Sequence, residues 1–283
     1  MTPDTRRQQI NNLDASVGVL NPRMNKTFTI PIFFDKLIMT MDIKILNVGK
    51  QYGSVHITKA LDSVSFTVKN GEFIAIMGPS GSGKTSLLNI IAAIDTASEG
   101  NVFFGDFELT KASAAKLAEF RKNNLGFVFQ NYNLLDTLTL EENILLALSL
   151  NKQSKKEMLE RAKELQESFG IYGLRNKYPH EVSGGEKQRC ACARAISNNP
   201  ALVLADEPTG ALDSHSAQIL LETFQKMNTE MHTSILMVTH DVFSASYAER
   251  LLFLKDGKLV KELFRHDKDR KTFMSEIYDE LSI

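Results

Sequence analysis

Cysteine is nearly absent: two occur in 283 residues, Cys190 and Cys192. Two positions apart on a helix point about 200° from one another, so a bridge between them is excluded there, and a reduced, cytosolic chain is expected. An excess of charge of either sign is also missing. The 33 basic and 34 acidic side chains leave a formal net charge of −1, which gives no global electrostatic reason to bind nucleic acid or an anionic membrane. No apolar run approaches the roughly 18–20 residues of a membrane-spanning helix. The best candidate, residues 30–41, is short and holds Pro31, Asp35 and Lys36. The first fifteen residues are polar, unlike a secretory leader. Internal repeats and low-complexity tracts are lacking too. The expectation is a soluble chain, free to dock on a membrane partner. At 43% apolar and 24% charged residues the composition is that of a globular protein, which sets aside disorder and fibrous repeats. The length allows one large domain or two small ones.

Residues 1–40 show no clear period and read as a loose N-terminal extension, with Met39 and Met41 just ahead of the first strand pattern. Residues 42–48 (DIKILNV) alternate like a strand. Val64, Phe66 and Val68 alternate, Asn70-Gly71 signals a turn, and residues 73–77 (FIAIM) run apolar, which predicts a β-hairpin feeding a buried strand. Short apolar runs at 126–129, 201–205 and 234–239 each end at a polar residue, as buried strands of a mostly parallel sheet do. Between them lie helical patterns. Ser154 and Glu157 form a capping box, Met158, Ala162, Leu165 and Phe169 follow at helical spacing, and Gly170 suits the end. Ala217, Leu221, Phe224 and Met227 repeat the spacing from Ser214 onward. Asp256-Gly257 joins two apolar runs as a second hairpin. Strands alternating with helices argue a layered α/β domain, and the mostly helical stretch from 106 to 183 suggests an inserted helical subdomain.

Gly78, Pro79, Ser80, Gly81, Ser82, Gly83, Lys84 and Thr85 match the phosphate-loop pattern G-x-x-x-x-G-K-[ST], between an apolar strand and a helix containing Ser86, Leu87, Leu88 and Ile91. Glycines let successive backbone N–H groups curl round an anion, and the helix adds its positive N-terminal end. Lys84 has the reach for β- and γ-phosphates, and the Thr85 hydroxyl is suited to Mg²⁺. The G-x-G-x-x-G pattern of dinucleotide folds is absent here. Downstream, the run 201–205 leads into Asp206 and Glu207. A carboxylate at the end of a parallel strand next to the phosphate-loop strand is placed to hold Mg²⁺, and Glu207 to polarise an attacking water as general base.

Val182, Ser183, Gly184, Gly185, Glu186, Lys187, Gln188 and Arg189 precede that acidic pair. The segment resembles the signature motif of ATP-binding cassette (ABC) proteins, with Val182 and Glu186 where the family usually has Leu and Gln. The run from Asp206 to Asp213 (DEPTGALD) resembles the family's Walker B motif and D-loop together. Gln130 fits the Q-loop, His240 the switch histidine, and Tyr52 the aromatic that stacks on adenine. The six features span roughly residues 42–261. The resemblance implies a P-loop NTPase cassette of the α/β class, with a RecA-like core, an antiparallel β-subdomain and a helical subdomain at about 106–185. The nucleotide-binding domain would cover residues 41–265, followed by a helical tail at 266–283. It further implies ATP and Mg²⁺ as cofactors. Lys84, Gln130, Glu207 and His240 would act in catalysis, and Thr85, Gln130 and Asp206 would hold the metal. Ser183, Gly184, Gly185, Glu186 and Asp213 would face a nucleotide bound to a second copy of the chain. The remaining histidines (His56, His180, His215, His232 and His266) lack metal-ligand spacing and are expected at the surface, and the two cysteines are expected to pack.

Closer resemblance narrows the branch. The acidic motif is similar to that of macrolide-exporter and lipoprotein-releasing cassettes. Residues 129–138 (FQNYNLLDTL), 141–144 (EENI), 170–175 (GIYGLR) and 270–273 (RKTF) resemble the ATPase subunits of bacitracin-type transporters. That family works with a large membrane permease in antimicrobial-peptide resistance, which would place this chain on the inner face of the membrane. Leu134, Leu135, Leu138 and Leu140 would give the segment after Gln130 an apolar face toward such a permease. Three alternatives stand against this reading: a lipoprotein-releasing or cell-division cassette, a cassette acting on ribosomes or DNA, and a scaffold that binds ATP without hydrolysis. Residues 131–138 weigh against the first. A single cassette without long coiled coils, and a neutral charge, weigh against the second and against any nucleic-acid partner. Lys84, Asp206, Glu207 and His240, all present, oppose the third.

Overall fold

The computed structural model describes residues 42–54 and 56–281. The expected N-terminal extension and the apolar patch at 30–41 lie outside the described residues. In chain order the strands are β1 (Ile43–Tyr52), β2 (Thr58–Val68), β3 (Phe73–Met77), β4 (Glu99–Phe104), β5 (Phe107–Glu108), β6 (Leu125–Phe129), β7 (Leu202–Asp206), β8 (Ser234–Val238), β9 (Arg250–Lys255) and β10 (Lys258–Phe264). The helices are α1 (Lys84–Ile91), α2 (Ala114–Asn124), α3 (Leu140–Ser149), α4 (Lys155–Ser168), α5 (Gly184–Ile196), α6 (Ser214–Met231), α7 (Val242–Ala245) and α8 (Arg270–Leu281). Among the described residues no helix is long and apolar enough to cross a membrane.

The strands form two sheets. One is antiparallel, in the order β2-β1-β4-β5. The other has the order β10-β9-β3-β8-β7-β6, and all its neighbours are parallel except the β9–β10 hairpin. That hairpin is the one expected at Asp256-Gly257, and both turn residues adopt positive φ, 49° and 75°. The centre of the large sheet is covered on both sides, so β3 and β8 are buried along their whole length, whereas the edge strand β10 is mostly exposed. The alternation within each strand separates two cores. Phe73, Ala75 and Met77 of β3 face a core with Leu165 of α4, Cys190, Cys192 and Ile196 of α5, and Leu221 and Phe224 of α6. Ile74 and Ile76 face the opposite core, with Leu87, Leu88 and Ile91 of α1 and the inward residues of β1, β2 and β4.

The structure corrects two expectations. Asn70-Gly71 is a turn, with the Glu72 N–H donating to the Lys69 carbonyl at 3.1 Å, but β2 and β3 are not a hairpin. β2 pairs with β1 in the small sheet, while both edges of β3 are taken by β8 and β9. A strand buried on both faces belongs in the parallel sheet, and the turn passes the chain from one sheet to the other. Second, the acidic strand β7 is not next to the phosphate-loop strand β3; β8 lies between them. Within the segment 106–183 the run expected as a strand at 126–129 is β6 of the large sheet, and α2 packs Phe120 into the α1-side core. Helices α3 and α4 follow β6, both opened by capping boxes, at Thr139–Glu142 and Ser154–Glu157.

Candidate nucleotide site

Four parallel strands end along one edge of the large sheet, and parallel sheets bind ligands at that carboxyl edge. β3 runs into the loop beginning at Gly78, β8 into Thr239 and His240, β7 into Glu207, and β6 into Gln130. The ladder continues past the strands: Thr239 N–H donates to Ile76 O at 3.1 Å, and Glu207 N–H to Val238 O at 2.9 Å. The interposed β8 thereby brings His240 between the phosphate loop and the acidic pair.

The phosphate loop leads into α1, whose N-cap Gly83 offers no side-chain acceptor and whose first turn holds no acidic residue. Helices α3, α4, α5 and α6 are all capped instead by a side chain, from Thr139, Ser154, Ser183 and Asp213. The amide groups opening α1 are therefore left for an external anion. Gly83 sits at φ +100°, and a Cβ there would collide with the Ala60 carbonyl. Gly81, at φ +80°, has nothing within 4 Å of where a Cβ would be. The Lys84 ammonium curls over the loop and donates to the carbonyls of Gly78 (2.8 Å) and Pro79 (2.9 Å). Burial lowers its pKa, while the charges of Glu207 and Asp206 pull it back up. Burial raises the Asp206 carboxyl, the Glu207 charge raises it further, and Lys84 opposes both. These three groups therefore share one electrostatic site.

Glu207 has φ +45°, in the left-handed region uncommon for a side-chain-bearing residue. Its Oε1 lies 3.0 Å from His240 Nδ1, and its Oε2 accepts from the His240 N–H at 3.3 Å. The His240 ring is 73% exposed, the Glu207 side chain 18%. Gln130 reaches the same loop: a Cβ on Gly210 would come within 2.8 Å of its Nε2. Tyr52, at the end of β1, donates its hydroxyl to Asp95 Oδ2 at 2.8 Å and lies 3.3 Å from the hydroxyl of Ser86 in α1. Among the described residues, no cluster of three or more His, Cys, Asp or Glu side chains is placed to hold a metal alone. Thr85, Gln130 and Asp206 provide one hydroxyl, one amide oxygen and one carboxylate. That donor set suits Mg²⁺, which keeps waters and phosphate oxygens in its shell.

Ser183 caps α5. Its N–H (2.8 Å) and hydroxyl (2.9 Å) both donate to Glu186 Oε2, and the Glu186 N–H returns a bond to the Ser183 hydroxyl at 3.4 Å. The bond from the Ser183 N–H is the main cause of a lowered Glu186 pKa. A side chain unusual for the signature thus closes a capping box. Gly184 and Gly185 are tight: a Cβ would lie 2.8 Å from the Tyr132 hydroxyl or the Ser216 hydroxyl, respectively. Ser216 in turn donates to Asp213, the N-cap of α6, from its N–H (3.0 Å) and its hydroxyl (2.7 Å). Gln188 Nε2 donates to Pro208 O at 2.9 Å, which ties the signature segment to the loop after Glu207. The structure does not bring Ser183 to the phosphate loop of its own chain. Helix α1 packs in one core and α5 in the other, on opposite faces of the large sheet.

The expected apolar face after Gln130 is split, with Leu138 half-buried. Leu140 is fully buried and Leu134 packs on the core, whereas Leu135 is 47% exposed. The five histidines without metal spacing are all exposed. Both cysteines are buried, and burial pushes the Cys190 thiol up to about 12. Asp95, which bonds both Tyr52 and Lys50, escaped the sequence reading, because partners 43 and 45 residues apart leave no local pattern.

Residues 61–210, just over half the chain, match the family model described as "ABC transporter". The chain belongs to the ABC transporter family. It is an ATP-binding subunit of that family and an ATPase. The cassette is 46% identical over 236 residues to the bacitracin export ATP-binding protein BceA of Halalkalibacterium halodurans, covering 83% of this chain and 93% of the relative. It is 41% identical to the macrolide export ATP-binding/permease protein MacB of Mannheimia succiniciproducens, covering 80% of this chain but 35% of that longer protein. Among solved structures it resembles the dimeric cassette MJ0796, a protein of Methanocaldococcus jannaschii, at TM-score 0.74 and 40% identity, over 78% of this chain and 98% of the other. A further structure of MJ0796 is a dimeric post-hydrolysis state bound to ADP and Pi.

Proposed function

We propose that the cassette works as an ATP-dependent homodimer on the inner face of the membrane, powering a separate permease in resistance to, or export of, bacitracin-type antimicrobial peptides. The observation that carries the dimer is the placement of α1 and α5 on opposite faces of the large sheet. A signature segment that sits away from its own phosphate loop has a use in completing the loop of a second copy. The dimeric MJ0796 structures support this, and the bacitracin export relative supports the peptide branch. MacB joins an ATP-binding and a permease part in one name, which supports a permease partner for a chain that spans only a third of it.

In this reading the loop amides and Lys84 hold the β- and γ-phosphates, and Tyr52 stacks on adenine. Thr85, Gln130 and Asp206 would hold Mg²⁺, which would supply positive charge against the phosphates. Glu207 takes a proton from the attacking water, and His240 donates to the γ-phosphate while bonded to Glu207. Ser183, Gly184, Gly185, Glu186 and Asp213 face the second nucleotide. Residues 42–265 form the nucleotide-binding domain, with a helical subdomain between β6 and β7, and α8 forms a helical tail after it. The dimer is tested by light scattering of Glu207→Gln with and without ATP; a monomer in both conditions overturns it. The branch is tested by deleting the gene, which should lower resistance to bacitracin-type peptides; unchanged resistance overturns it.

A further inference from the structure

A charged side chain almost buried in a strand needs a partner. Lys50 of β1 is only 7% exposed. Its ammonium donates to Asp95 Oδ1 at 2.6 Å and to the Thr96 carbonyl at 2.8 Å, and stands 4.7 Å from the centroid of the Tyr52 ring. Lys50 and Tyr52 are two residues apart, on the same face of the strand. Asp95, in the segment after α1, uses both oxygens: Oδ1 accepts from Lys50 and from the Thr96 N–H (2.7 Å), and Oδ2 accepts from the Tyr52 hydroxyl. Burial alone would raise the Asp95 carboxyl. The bonds from Lys50, Tyr52 and the Thr96 N–H outweigh it and hold the group below its ordinary value. Tyr52 nevertheless stays 42% exposed.

We propose that Lys50 and Asp95 are positioning residues that fix the Tyr52 ring so that one face is backed by an ammonium and the other is free to receive the nucleotide base. The inference rests on the reading of Tyr52 as the base platform. A tyrosine at a strand end turns about two side-chain torsions, and ordering it would count against binding. Here the ring is tied at two points, through its hydroxyl to Asp95 and through its face to Lys50. The hydroxyl also lies beside Ser86 in the first turn of α1, which sets the platform's position relative to the phosphate loop. The ammonium on the covered face draws on the ring's π density, a cation–π contact that is stronger where water is kept away. An ion pair serving only to join β1 to the loop after α1 would not need to touch the ring.

The test is calorimetric titration of the full chain with ADP, and with tripolyphosphate as a ligand that has no base. Tyr52→Ala should weaken ADP by about 5- to 30-fold, the worth of one base–aromatic stack, and leave tripolyphosphate unchanged. Asp95→Asn, which removes the charge and one acceptor, should weaken ADP by about 3- to 10-fold, again without effect on tripolyphosphate. In the Tyr52→Ala background it should have no further effect. Tyr52→Phe keeps the ring and loses the tether, and serves the same purpose should Asp95→Asn not fold; about threefold is expected. In steady state Asp95→Asn should raise KM for ATP and leave kcat alone. Unchanged ADP affinity in Tyr52→Ala would overturn the platform itself. Loss in Tyr52→Ala with none in Asp95→Asn and Tyr52→Phe would overturn the positioning role and spare the platform. Equal loss from Asp95→Asn with and without the Tyr52 ring would reduce Asp95 to a structural ion pair.

Discussion

Replacing Glu207 by Gln separates the general base from everything else Glu207 does. Gln has the same length and accepts the same left-handed backbone, and its carbonyl can still accept the His240 N–H that now reaches Oε2. The N–H of residue 207 still donates to Val238 O, so the ladder from β8 to β7 is untouched. What disappears is the carboxylate. A positioned base is worth roughly 10²–10⁴ in rate, or about 3–5 kcal/mol of barrier. Removing its charge also relieves Asp206, whose pKa Glu207 helps to raise, so the proposed metal ligand ionises more readily. Nucleotide binding should therefore hold or tighten while turnover collapses. The assay is phosphate release at saturating ATP and Mg²⁺, paired with equilibrium ADP binding on the same preparation. Turnover within a factor of a few of the parent would refute the role of Glu207. A parallel loss of ADP affinity would show that the substitution disturbs the site rather than the chemistry.

In the Glu207→Gln background, Ser183→Arg should abolish the ATP-driven shift from monomer to dimer in size-exclusion chromatography, since the side chain would fill the place of the second phosphate; a dimer that survives contradicts the sandwich. The capping-box carboxylates Glu142, Glu157 and Glu186 are all held below their ordinary value near 4.5, mainly by the N–H of the cap residue. A depressed folded pKa stabilises above the unfolded value and loses that stability as pH falls through the folded one. Melting temperature should thus drop below about pH 4.5, and drop less in the triple Glu→Gln variant; equal slopes would remove the caps from the account. Asn133→Asp with Thr137→Asp, both at exposed positions after Gln130, should spare ATPase activity and weaken co-purification with the permease. The reverse pattern would assign the segment to the catalytic core.

The motifs were legible because each is short and carries its own geometry. Gly83 turns through φ +100°, which residues with a side chain rarely adopt, and that demand is written in the loop itself. Capping boxes are equally local, and Ser154–Glu157 is where the spacing put it. Pairing is not local. Asn70-Gly71 says that the chain turns, while the burial of β3 on both faces decides that β2 goes elsewhere. The order β3-β8-β7 is equally hidden, because parallel strands are joined by crossovers whose length says little about which neighbours result. Lys50 looks like a surface lysine on an alternating strand until Asp95, 45 residues on, is folded against it.

The arrangement also explains how a strand end and a helix start can act together in the proposed dimer. Gln130 follows β6 at the phosphate edge, and after Asn131 two residues, Tyr132 and Asn133, adopt φ of 61° and 48°. Their carbonyls do not return to the sheet; both accept from the Arg194 guanidinium of α5, at 2.9 Å from Nη2 and 2.5 Å from Nη1. The Tyr132 hydroxyl meanwhile lies 2.8 Å from where a Cβ of Gly184 would be and 3.5 Å from the Ala211 carbonyl. One short loop is therefore bonded to the end of α5 and packed on its beginning, while its own start carries Gln130. In the proposed dimer a movement of Gln130 would be passed to α5 through the Arg194 bonds and the Tyr132–Gly184 contact, on the face of the large sheet away from α1.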